Sequence, residues 1–138
     1  MCWAPLLLVG WLVTQHWSGY SPKTNLDGAV IEVQSCERGI GLDVKASTSG
    51  LYGLAAQYGL TTSLDGWTVT VTPKAGVAYV DHRVVEQASP GNFQVGGQLL
   101  FGRERWGVGA EYWHLSNAGL GRPNSGLDLV LCQVGWVF

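Results

Sequence analysis

Residues Trp67–Thr72 read WTVTVT, and this stretch decides the fold. In an extended chain Trp67, Val69 and Val71 point to one side, and Thr68, Thr70 and Thr72 to the other. The same period of two recurs along most of the sequence. Phe93, Val95, Leu99 and Phe101 share a face opposite Gln94, Gly96 and Gln98. Tyr52, Leu54, Ala56, Tyr58 and Leu60 alternate with Gly53, Ala55, Gln57 and Gly59, and Leu42, Val44 and Ala46 with Asp43, Lys45 and Ser47. One face is apolar and aromatic, the other small and polar. A soluble barrel fills its interior with Val, Ile and Leu and turns its polar side to water. A face of Gln, Thr, Asp, Lys and Gly makes a poor dry core and a good polar lumen. The pattern therefore predicts an all-β fold, an antiparallel transmembrane β-barrel with its apolar face in lipid.

Composition agrees with that reading. Charged residues make up 13 % of the 138 residues and hydrophobic ones 46 %, with 20 glycines and 7 tryptophans. The charged share is about half that of an ordinary soluble domain. Composition alone would also admit a soluble β-sandwich or barrel. A net charge of −2 gives no basic footprint, so nucleic acid is not an expected partner. Cys2, Cys36 and Cys132 are odd in number and widely spaced, which predicts three small, mostly buried apolar side chains rather than disulfides or a metal site.

Residues 1–138 amount to a single barrel domain, and turn clusters at Ser18–Gly28, Ser47–Gly50, Ser63–Gly66, Glu86–Asn92 and Asn117–Gly126 divide it. Eight strands follow by two routes. Residues 66–81 form two strands turning at Pro73–Lys74, or they form one long strand with a bulge at Pro73 while residues 4–14 supply the first strand. The run Trp3–Thr14 (WAPLLLVGWLVT) is too short for a spanning helix. Residues 1–14 read either as a signal-like segment or as that first strand, with the strand preferred because no Lys or Arg precedes the run. At the other end Val130, Cys132, Val134, Trp136 and Phe138 share a face. This alternation closing on an aromatic resembles the C-terminal strand of outer-membrane barrels.

Chemistry concentrates in Arg105–Ser116 (RWGVGAEYWHLS) and the segment after it. By parity Trp106, Val108, Ala110, Tyr112, His114 and Ser116 lie on the apolar face. His114 and Ser116 are same-face neighbours, with Cβ atoms roughly 6.5–7 Å apart on an extended strand. Across the hairpin Asp128 falls on the same face as Val130 and Val134. Polar groups on a lipid-facing wall are costly, least so near the strand ends where these three sit. A serine hydroxyl becomes a nucleophile when a base takes its proton, and a carboxylate orients that base. The trio thus reads as Ser116 nucleophile, His114 base and Asp128 orienting acid, and Asn117 with the loop N–H groups is the available oxyanion donor set. The bland reading is two interfacial polar residues beside an ordinary turn.

The longer string His114–Asp128 (HLSNAGLGRPNSGLD) resembles the C-terminal motif of the lipid A 3-O-deacylases of PagL type. That motif runs His-x-Ser-Asn-Ala-Gly, then Pro-Asn-x-Gly, an aliphatic residue and the acid. Asn92–Phe101 and the segment around Pro73–Tyr79 match earlier strands more weakly. The resemblance implies an eight-stranded barrel in the bacterial outer membrane. It implies a carboxylic ester hydrolase that removes a hydroxyacyl chain from the lipopolysaccharide of the outer leaflet, with no metal and no organic cofactor. Carried over by residue, it implies catalytic Ser116, His114 and Asp128, with Asn117 and the Gly119 N–H as the oxyanion hole. Asp128 stands where the family usually has glutamate, one methylene longer. The oligomeric state is left open, a homodimer included. Two other functions compete: a non-catalytic small barrel, which would put His114 and Ser116 on opposite faces or out of reach, and an esterase acting on phospholipid.

Overall fold

The computed structural model describes residues 5–15, 26–37, 39–81, 90–118, 120 and 126–138, and these contain strands and no helix. The strands are β1 (Leu6–Gln15), β2 (Gly28–Glu37), β3 (Ile40–Ser47), β4 (Leu51–Tyr58), β5 (Leu60–Leu64), β6 (Trp67–Val80), β7 (Gly91–Arg103), β8 (Trp106–Ser116) and β9 (Leu127–Val137). All pairings are antiparallel, and the order β4-β3-β2-β1-β9-β8-β7-β6 is closed by pairing of β4 with β6. Closure leaves no open edge along the wall, as backbone in lipid requires.

β4 and β5 are one strand in two pieces. Gln57 pairs with Lys74 and Leu60 with Val71, so the register against β6 runs on unchanged across Tyr58 and Gly59. The barrel therefore has eight staves. The interruption lies opposite Thr72 and Pro73, where proline has no N–H to give the ladder. On its other side β6 pairs with β7 without a slip, Thr72 with Gln98, Pro73 with Gly97 and Lys74 with Gly96. The bulge expected at Pro73 is absent, and so is a turn at Pro73–Lys74. The missing donor is accommodated by a gap in the partner strand, whose Gly59 N–H bonds instead to the Gly39 carbonyl at 2.7 Å.

Residues 6–15 form β1, between β2 and β9. Val9, Trp11 and Val13 face outwards, while Leu8 and Leu12 are buried. Both faces are apolar, which is why the run lacks alternation in sequence.

The interior is layered rather than uniformly polar. Beneath the end that carries the Ser47–Leu51 turn and the β8–β9 loop lies an apolar layer of Leu12, Leu26, Val30, Leu51, Val80 and Trp113 with Leu115, Leu127, Leu129 and Leu131. This corrects the expectation of a polar lumen throughout. The middle layer is ionic. Lys74 Nζ reaches Glu32 at 2.7 Å, Asp43 at 2.9 Å and Glu111 at 2.9 Å, while Lys45 Nζ reaches Asp43 at 2.8 Å and also bonds Glu111. Gln34, Gln98 and Gln133 join the carboxylates in the same network. Towards the chain termini the lumen opens into a cavity of about 320 Å³ lined by Thr61, Thr68, Thr70 and Thr72.

Cys132 faces outwards and is exposed, contrary to the expected burial, because it shares the lipid-side parity of Val130 and Val134. Cys2 and the side chain of Cys36 lie outside the described residues.

Candidate active site

β8 carries the site because its two faces do different work. Inward, Glu111 and Trp113 lock the strand to the ionic layer. The Trp113 Nε1–H donates to Glu111, and Lys45 Nζ lies 3.4 Å from the Trp113 ring centre. Leu115, only 1 % exposed, fills the apolar layer above them. Outward, at the end opposite the chain termini, the same residues' neighbours Tyr112, His114 and Ser116 stand in a row. Rigid inward packing on alternate residues is what holds outward groups at fixed spacing.

The β8–β9 register places His114 directly across from Asp128. His114 Nδ1 and Asp128 Oδ1 are 2.9 Å apart, with 40 % of the histidine and 33 % of the aspartate side chain exposed. With the Nδ1–H donating a hydrogen bond to the carboxylate, Nε2 is left as the ring's acceptor. The same carboxylate oxygen accepts a hydrogen bond from the Tyr112 hydroxyl at 2.6 Å.

Ser116 closes β8 and pairs with Phe93 of β7. The chain then turns sharply, with Ala118 in the left-handed region at φ 53° and the Leu120 N–H bonded to the Asn117 carbonyl at 3.0 Å. The turn aims the Ala118 N–H at Ser116 Oγ, 3.1 Å away. Asn117 is buried, 4 % exposed. Gly119, Pro123 and Asn124, named by the sequence motif, lie outside the described residues.

Gly126 opens the return towards β9 at φ +76°. A Cβ added there would lie 2.5 Å from His114 Cε1 and 3.0 Å from Nε2. The backbone at 126 therefore packs against the imidazole, and only glycine permits both the approach and the φ.

An apolar groove of about 650 Å³ runs across the outer wall, starting at Asn117, the chain neighbour of Ser116, and at Phe93, its ladder partner. Asn117 and Phe93 form its near end, Val77 and Tyr79 its floor, and Tyr52 and Leu54 its far side.

The sequence-derived trio is thus brought to one outward surface, His114 and Asp128 in contact and Ser116 on the same strand face. Three contributions escaped the sequence reading. Tyr112 was legible only as one more apolar-face residue, although a tyrosine two places before a same-face histidine is a usable signal. The Ala118 N–H and the Gly126 approach depend on turn geometry that residue types do not spell out. Among the described residues Glu32, Asp43 and Glu111 gather ligand atoms within 4.8 Å of one another, as a metal would need. The ammonium groups of Lys45 and Lys74 already lie against them.

A closed eight-staved barrel with an apolar outer wall defines the class as a membrane β-barrel, and it carries an outward Asp–His pair on the strand face that also holds Ser116. The family model of the lipid A 3-O-deacylases (PagL) matches residues 8–137, and the chain belongs to that family. It is therefore an ester hydrolase of the bacterial outer membrane whose substrate is lipid A. Among solved structures, the crystal structure of the outer membrane enzyme PagL is similar with a TM-score of 0.64 and 16 % identity, covering 94 % of this chain and 98 % of that one. The Yersinia pestis outer membrane protein Ail, determined in a phospholipid bilayer nanodisc, is similar with a TM-score of 0.56 and 14 % identity, covering 98 % and 99 %. No curated protein sequence matches the chain.

Proposed function

We propose that Ser116, His114 and Asp128 carry the deacylation, with Asn117 and the Gly119 N–H as oxyanion donors. The observation that supports this most is the 2.9 Å His114–Asp128 contact on the lipid-facing wall, two residues from Ser116. His114 Nε2 takes the Ser116 hydroxyl proton as Oγ attacks the ester carbonyl carbon, and Asp128 stabilises the imidazolium that forms. The developing oxyanion is met by the donors at the start of the β8–β9 loop. His114 returns the proton to the departing sugar oxygen, the C–O ester bond breaks, and the acyl group stays on Ser116. Water, deprotonated by His114, then releases the fatty acid and restores the serine. The Ala118 N–H, donating to Oγ, fixes the hydroxyl while leaving its own proton to the imidazole.

The ester removed is the 3-O-linked hydroxyacyl chain. The substrate arrives by lateral diffusion in the outer leaflet, since the site faces lipid and the loop end is the extracellular one. The hydroxyacyl chain lies in the groove over Val77 and Tyr79, whose near end is Phe93, the ladder partner of Ser116. All three side chains come from β8 and β9 of one copy, so the mechanism is complete in a monomer and needs no homodimer. Mass spectrometry of lipid A from cells expressing the parent or Ser116→Ala tests the assignment. Loss of one hydroxyacyl mass only with the parent supports it, and identical profiles reject it. A phospholipid presented to the purified protein in the same assay should remain intact.

A further inference from the structure

We propose that Tyr112 is a positioning residue for Asp128, a role that rests on reading Ser116, His114 and Asp128 as a triad. The register sets His114 opposite Asp128 and Tyr112 opposite Val130. The phenol therefore crosses the β8–β9 ladder on a diagonal to reach the carboxylate, a span within reach of an aromatic side chain. It donates to Oδ1 at 2.6 Å, the same oxygen that faces His114 Nδ1 at 2.9 Å.

Two donors converging on one oxygen fix the direction of a carboxylate in a way that one donor cannot. Asp128 is a third exposed, so a carboxylate held by the histidine alone is free to turn towards water and headgroup cations. Tyrosines at the membrane boundary ordinarily keep the ring in the apolar region and turn the hydroxyl to the wet side. Tyr112, 41 % exposed on the outer wall, directs its hydroxyl to Asp128 instead. An aspartate carboxylate also stands only one methylene from the backbone, a shorter reach than a glutamate has. The phenol supplies from β8 a constraint that the shorter side chain needs in order to stay aligned with Nδ1.

The test is a double-mutant cycle in the full chain, comparing the parent, Tyr112→Phe, Asp128→Glu and the double variant, each checked for a folded barrel by heat-modifiable electrophoretic mobility. Loss of one hydrogen bond to a charged group should lower kcat of Tyr112→Phe about tenfold. KM should stay within about twofold, because the phenol orients the base system rather than the substrate. In the Asp128→Glu background, where the longer carboxylate reaches His114 unaided, adding Tyr112→Phe should change kcat by less than about threefold. Parental kcat in Tyr112→Phe, a change in KM alone, or an equal loss in both backgrounds overturns the proposal. Ser116→Ala separates the two levels: an inactive Ser116→Ala beside an unimpaired Tyr112→Phe rejects only the role of Tyr112, whereas an active Ser116→Ala rejects the triad itself.

Discussion

His114 and Asp128 are direct cross-strand partners, and their side chains meet with Nδ1 and Oδ1 2.9 Å apart on the lipid side of the wall. Ladder register and strand parity together produce this contact, so no loop conformation has to form it. Replacing the carboxylate should leave the barrel intact and disable the base. Asp128→Asn is expected to lower kcat by about 10⁴-fold, the loss seen when a triad histidine is held in the wrong tautomer, with KM little altered. Steady-state deacylation of lipid A in detergent micelles measures both.

Gly126 fixes the other side of the imidazole. Gly126→Ala adds a Cβ 2.5 Å from His114 Cε1 at a backbone φ of +76°, so ring and loop must both yield. A displacement near one ångström at a reacting group costs about 10²-fold in rate. The variant should therefore insert and fold as the parent does while kcat falls by about that factor; a rate within twofold of the parent would show that the ring has room to spare.

Much of this was readable from residue types. The alternation of β4, strictly buried and exposed in turn from Leu51 to Tyr58, is what a period-two pattern means physically. Parity alone put Tyr112, His114, Ser116 and Asp128 on one surface. Where the reading failed, the cause was a neighbour that local pattern does not encode. Pro73 looked like a bulge or a turn, yet the ladder stays in register because the gap sits in the partner strand at Tyr58–Gly59. For residues 1–14 the preferred strand is what forms, and a signal-like segment stayed an alternative because the inward Leu8 and Leu12 are apolar like the lipid-facing residues. The polar lumen was legible in Asp43, Lys45, Gln94 and Gln98, but not the leucine-rich layer above it, which is assembled from β1, β2, β4, β6, β8 and β9.

The ionic layer should matter for stability more than for chemistry. Lys74 is nearly fully buried and bonds three carboxylates, so Lys74→Met leaves Glu32, Asp43 and Glu111 with Lys45 as their one ammonium partner among the described residues. Removing one partner from a buried ionic network costs about 3–5 kcal/mol. Urea unfolding in lipid vesicles, followed by tryptophan fluorescence, should show a loss of that order, with kcat of the still-folded fraction near the parental value.

The groove beside Ser116 should set chain-length preference. Val77 lies on the outer wall, 51 % exposed and within the groove lining, so Val77→Trp fills the groove without entering the barrel. Cleavage of long-chain hydroxyacyl esters should lose about tenfold in kcat/KM, a loss equivalent to one or two methylene contacts, while short-chain esters react as before. Equal effects on both lengths would place the acyl chain elsewhere.

The most direct test of the central claim is the lipid A mass profile of cells expressing Ser116→Ala beside the parent at equal outer-membrane levels. The parent should yield lipid A lighter by one 3-O-linked hydroxyacyl group, and Ser116→Ala should yield the unmodified species alone. Deacylated lipid A from the Ser116→Ala cells at the parental level would contradict the assignment of Ser116 as nucleophile.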